Sequence, residues 1–190
     1  MTYSRGMAAI TFDIEYTQER SKKTTGLRLF YAIPHLIITE VLDSLAQVLA
    51  VIQWFIVVFT GKRHLALFNL SRGVLDWQAR ATSYFGLMYD AYPNFGFEKL
   101  NEPVQFAAEY EETANRLTTG LRIIWAIPAL VITFGLAIAG VVVTIVSWFT
   151  ILFTGQHPRG QFDFLLKAHR YGVRTQAYLL LLTDTYPKYE

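Results

Sequence analysis

The sequence predicts a mainly α integral membrane protein built as a tandem pseudo-symmetric repeat. Each unit is read as a short β-strand, a membrane-embedded helical hairpin and an amphipathic interfacial helix. Two observations carry this. The stretch Trp54-Phe55-Ile56-Val57-Val58-Phe59-Thr60-Gly61 returns as Trp148-Phe149-Thr150-Ile151-Leu152-Phe153-Thr154-Gly155, an offset of 94 residues (148 − 54) that aligns both halves without a gap. Each copy also closes an apolar run of 33 residues, Leu27 to Phe59 and Leu121 to Phe153, where a membrane span needs roughly 20.

Composition agrees. Charged residues make up 17% and hydrophobic residues 53% of the chain, against about 25% charged in soluble domains. A net charge of +2 excludes a polycation seeking nucleic acid, so no nucleic-acid partner is expected. Basic residues instead flank the apolar runs, where anionic headgroups would meet them. With no cysteine, neither a disulfide framework nor a thiolate metal site is available. No apolar core with a small-residue cleavage site stands in the first 26 residues, so no signal peptide is expected. The repeats are bounded at 1–98 and 99–190 and are expected to pack as one unit.

In chain order, Ile10 to Tyr16 alternates apolar and polar residues, the period of a half-buried strand, and Val104 to Tyr110 repeats this more weakly. Pairing between the two copies would complete a small sheet. Polar starts follow, Thr17 to Thr25 and Glu111 to Thr119. Arg28 and Arg122, just inside the apolar boundary, are expected to snorkel to headgroups.

Each apolar run admits two readings: one tilted span kinked at Pro34 or Pro128, or a hairpin of two short helices. The hairpin is favoured by Leu42-Asp43-Ser44-Leu45 as a turn, by Gly135 and Gly140 in the second copy, and by basic residues at both ends. Both termini then lie on the cytoplasmic side of a multi-pass protein. Glu40 and Asp43 fall at that turn or, in a single span, on a pathway; the second repeat has Phe134 and Ala137 there.

After each Thr-Gly break, Leu65 to Asp90 and Phe162 to Asp184 read as amphipathic helices in the interface plane. Arg72, Asp76 and Arg80 share one face of the first, and Lys167, Arg170 and Arg174 form a basic stripe on the second. Arg28, Arg122, Arg72, Arg80, Lys167, Arg170 and Arg174 are therefore the candidate lipid-binding residues. Each unit ends on Asp-x-Tyr-Pro. His35, His64, His157 and His169 show no metal-helix spacing, and no phosphate loop, nucleophile elbow or zinc signature is present. No catalytic residue, metal or cofactor is expected.

The order Arg/Lys-x-Thr-Thr-Gly-Leu-Arg, Ala-Ile-Pro-His/Ala-Leu, Trp-Phe-x-x-x-Phe-Thr-Gly and Asp-x-Tyr-Pro resembles the bacterial membrane domain-of-unknown-function 4389 family, twice over. The copies differ where His35 becomes Ala129 and where Trp77-Gln78 becomes Tyr171-Gly172. The resemblance implies a bacterial integral membrane protein and supplies no catalytic residues; the inner membrane is the expected location. The expected function is a non-enzymatic accessory or scaffold subunit that binds a partner protein, organises lipid, or does both. The expected partners are anionic membrane lipids, with a protein partner or further copies of this chain. The alternative is an oligomeric channel or transporter with Glu40 and Asp43 near the pathway.

Overall fold

The computed structural model describes residues 10–98 and 103–189. The N-terminal stretch weighed for a signal peptide lies partly outside the described residues, as does the 98/99 boundary. The elements run β1 (Thr11–Ile14), α1 (Lys22–Thr60), α2 (Leu65–Phe85), β2 (Val104–Ala107), α3 (Arg116–Thr154) and α4 (Arg159–Leu179).

The strand expectation holds, and the repeats do complete each other's sheet. β1 and β2 pair antiparallel with Phe12 opposite Phe106, Thr11 opposite Ala107 and Asp13 opposite Gln105. Phe106 is Phe12 advanced by 94, so a pseudo-two-fold axis passes through this central pair. Alternation turns Phe12, Ile14, Val104 and Phe106 inward, onto a core with Phe68, Leu75, Phe162 and Leu165.

The turns placed inside the apolar runs do not form. Both α1 and α3 are continuous helices of 39 residues, about 58 Å long at 1.5 Å per residue. Asp43 and Ser44 need no turn because the helix satisfies them. Ser44 donates back to the Glu40 carbonyl (3.0 Å), and Asp43 accepts from Gln47 one turn on (2.7 Å). Gly135 and Gly140 are helical too. The reversal falls instead at the Thr-Gly breaks. Gly61 and Gly155 end the long helices at φ of 74° and 77°, the left-handed conformation that glycine adopts without a Cβ penalty. The hairpin is thus α1 folded onto α2, and α3 folded onto α4.

α1 and α3 lie antiparallel. Trp54 Nε1 donates to the Thr119 carbonyl (2.8 Å) and Trp148 Nε1 to that of Thr25 (2.9 Å), a contact and its symmetry mate. Layers follow from these contacts. The α1/α3 pair forms one layer, α2 and α4 the next, and the sheet packs on α2 and α4. The strand-to-helix segment of each repeat docks on the other repeat's Thr-Gly break. Arg20 N–H donates to the Gly155 carbonyl and Ala114 N–H to that of Gly61, both at 2.9 Å. Tyr16 and Tyr110 hydroxyls donate to the His157 and Arg63 carbonyls, both at 2.7 Å. The two repeats are one interlocked body.

Candidate functional site

Two equivalent arginine hubs fasten the ends of this body. In the first, Arg28 from α1 donates to the carbonyls of Tyr84 (2.6 Å) and Tyr89 (2.7 Å) and pairs with Asp90 (2.7 Å). Its guanidinium lies 4.4 Å from the Tyr84 ring centroid. In the second, Arg122 donates to Tyr178 and Thr183 carbonyls, pairs with Asp184 at 2.5 Å and stacks on Tyr178. The Asp-x-Tyr-Pro ending therefore supplies the counter-ion for the arginine of Gly-Leu-Arg. Each arginine also closes the carbonyls left at the end of α2 or α4, where Leu87 and Leu181 take left-handed φ of 63° and 59°.

A further cation reaches each hub from a different place in the chain. In hub one it is Arg20, donating to the Met88 carbonyl (2.7 Å), with His157 of the other repeat beside it. In hub two position 114 is alanine. Arg63, the equivalent of His157, enters instead, donating to Leu181 (2.8 Å) and pairing with Asp184 (2.6 Å). Burial, and then Arg20 and Arg28, push the His157 imidazole down to about 4. It is a neutral packing group at neutral pH.

This geometry corrects the reading of several candidate residues. Arg28 and Arg122, each 2% exposed, and Arg80, fully buried, do not snorkel to lipid. The terminal nitrogens of Arg28 and Arg122 go instead to backbone carbonyls at the helix ends and to Asp90 and Asp184. Arg80 donates to Asn94 (3.2 Å) and Gly96 (2.7 Å), holding the segment after α2. Arg170, half-buried, binds the β1 backbone at Phe12 (3.0 Å) and pairs with Asp13 (2.7 Å). Arg174 donates to Lys188 (3.1 Å). Arg72 and Lys167 remain exposed.

The two acids separate. Glu40 is exposed near the middle of α1. Asp43 accepts from Gln78 of α2 (2.9 Å) and Gln176 of α4 (3.2 Å), tying three helices together. At the symmetry-related place Ala137 and Gly172 replace the Asp43–Gln78 pair and leave an apolar cavity lined by Leu130, Leu136, Val173 and Leu179. The other departure is paired as well. Trp77 donates to His35 (3.2 Å), whose ring stacks on Phe95 at 4.4 Å, and both members change together in the second repeat.

The apolar residues missing from the core lie on α1 and α3. Phe30, Ile37, Val41 and Phe59 on α1 and Ile123, Val131, Phe134 and Phe153 on α3 are each more than 60% exposed. Both helices are long and apolar enough to cross a membrane, and only 6% of the most apolar window of α3 is buried.

A chain of this build is a two-fold, interlocked pair of helical repeats bearing an exposed apolar layer. The family profile described as Domain of unknown function (DUF4389) matches it twice, over residues 22–97 and 116–189, and the chain belongs to that family as a tandem repeat. Neither a curated protein nor a solved structure matches it.

Proposed function

We propose that the protein is a non-enzymatic scaffold of the bacterial inner membrane. Its α1/α3 layer is held in lipid, and its α2/α4 and strand layer presents a polar surface to a partner protein. The observation that supports this reading is the segregation of surface. Exposed large apolar side chains crowd α1 and α3, whereas the groove between β1 and α4 is lined by Asp13, Glu15, Arg159, Asp163, Lys167 and Arg170. Contiguous apolar faces far beyond a few hundred Å² mark lipid or protein contacts. Arg72 is exposed and available to anionic headgroups, whereas Lys167 belongs to the polar groove, and a short strand pair offers an edge for a partner strand.

A conduit is the weaker reading, because Asp43 is bound by three amide groups. The test is expression in a bacterium, alkaline washing of membranes, and mild solubilisation with in-cell cross-linking. Retention in washed membranes with a reproducible cross-linked partner or enriched anionic lipid is expected. Recovery in the soluble fraction would overturn the reading.

A further inference from the structure

We propose that α1 and α3 lie in the plane of a single lipid leaflet, with the pseudo-two-fold axis along the membrane normal. The occupant of their apolar face is the acyl region of one phospholipid leaflet, and neither helix crosses the bilayer. This rests on the reading that the exposed apolar layer meets lipid.

The symmetry carries the argument. Trp54 meets Thr119 and Trp148 meets Thr25, so the axis that exchanges the repeats passes between the two long helices, at right angles to both, level with Thr39–Glu40 and Thr133–Phe134. The same axis runs through Phe12 and Phe106 in the sheet. If α1 and α3 spanned the bilayer, this axis would lie in the membrane plane at mid-depth. The sheet would then sit at the level of the bilayer centre. With it would go exposed Asp13 and Glu15, the Asp13–Arg170 pair and the groove bearing Arg159, Asp163 and Lys167. Exposed charge at that depth is among the costliest placements a membrane protein has, and the free edges of a two-stranded sheet are not tolerated in hydrocarbon. Turned by a right angle, the same body puts the sheet and its charges in water and the apolar layer in lipid.

Length gives a second, independent argument. Each apolar run of 33 residues measures about 50 Å as a helix, against about 30 Å of hydrocarbon. Fitting it across would need a tilt of about 53°, beyond the observed range of roughly 0–40°. Lying flat, the helix meets no such limit. Its end residues Lys22, Lys23 and Lys62, and Arg116 on α3, then reach headgroups at one surface.

The two arrangements differ in one accessible respect. Crossing places the α1–α2 and α3–α4 breaks on opposite sides of the membrane, because α1 and α3 are antiparallel. Lying flat places them on the same side. The chain has no cysteine, so single variants Lys62→Cys, Gln156→Cys and Glu15→Cys, at exposed positions, can be labelled with a membrane-impermeant maleimide in right-side-out and inverted vesicles. Thr60→Cys and Thr154→Cys, also exposed, repeat the comparison should a first variant fold poorly. Labelling of all positions from one and the same side is expected. Labelling of Lys62→Cys and Gln156→Cys from opposite sides, of either from both sides, or protection of both from either side overturns the in-plane placement and leaves the lipid reading intact. Absence of the unsubstituted chain from alkaline-washed membranes would overturn the lipid reading itself.

Discussion

The exchange of cations between the two hubs can be tested by transplanting one hub into the other. Hub two uses Arg63 with Ala114, and hub one uses Arg20 with His157 at the corresponding places. Arg63→His alone removes donors to Leu181, Glu111 and Thr113 and one of the two cations on Asp184. Losing one member of a buried, hydrogen-bonded ion network should cost about 2–3 kcal/mol here, because Arg122 still holds Asp184. Ala114→Arg alone forces a third guanidinium toward one carboxylate, a combination of overpacking and like charge worth about 1–2 kcal/mol. Together the substitutions rebuild hub one: the introduced arginine can take the Leu182 carbonyl as Arg20 takes that of Met88. The double variant should fall within about 1 kcal/mol of the parent, a coupling of about 2–4 kcal/mol. Denaturant titration of detergent-solubilised protein, followed by tryptophan fluorescence, measures all four states. Additive losses within about 0.5 kcal/mol would refute the equivalence of the hubs.

Acid should weaken the fold through His157, which is fully buried. Its pKa is near 4 in the folded chain against the ordinary 6.5, so the unfolded chain binds the proton first. Stability is unaffected above about pH 6.5 and falls as pH drops toward 4, by about 2 kcal/mol at pH 5; His157→Asn should flatten unfolding midpoints measured across that window. Gly172 lies inside α4 and a Cβ there meets nothing within 4 Å, whereas one at Gly73 would stand 2.9 Å from the Phe97 ring. Gly172→Ala should therefore stabilise by about 0.5–1 kcal/mol and Gly73→Ala should destabilise, as melting temperatures would record. Asp43→Ala strips acceptors from Gln47, Gln78 and Gln176 and should cost about 1–3 kcal/mol by the same titration. An unchanged midpoint would remove Asp43 from the framework that joins α1 to α2 and α4.

Sequence made the repeat legible because every symmetric contact obeys the 94-residue offset. Strand alternation was equally readable, since it depends on local periodicity, but the polar face read on Leu65 to Asp90 was not, because Asp76 and Arg80 turn inward and are buried. The hubs were half-visible. Gly-Leu-Arg and Asp-x-Tyr-Pro recur together, yet nothing local says that Arg28 meets Asp90 across 62 positions. The exchange of Arg20 for Arg63 was hidden because it crosses between repeats, and a cation in one copy compensates an alanine in the other. Asp43-Ser44 misled because a polar pair in an apolar run resembles a turn. The amides of Gln78 and Gln176 that also bind Asp43 come from other helices and leave no trace in its own neighbourhood. The antiparallel run of α1 and α3 was hidden too, because two gapless copies look alike in sequence whichever way they face. Tandem repeats related by a two-fold axis perpendicular to their helices run in opposite directions.

The depth of α1 in the bilayer tests the account most directly. Nitroxide labels at Phe30, Ile37, Val41, Val48, Phe55 and Phe59, all on its exposed apolar side, report depth through the balance of oxygen and nickel-chelate collision in reconstituted vesicles. The account predicts nearly constant, shallow depth along the helix, within one leaflet. A depth that climbs by up to 1.5 Å per residue to the bilayer centre near Val41 and falls again toward Phe59 would show that the helix crosses, and would contradict it.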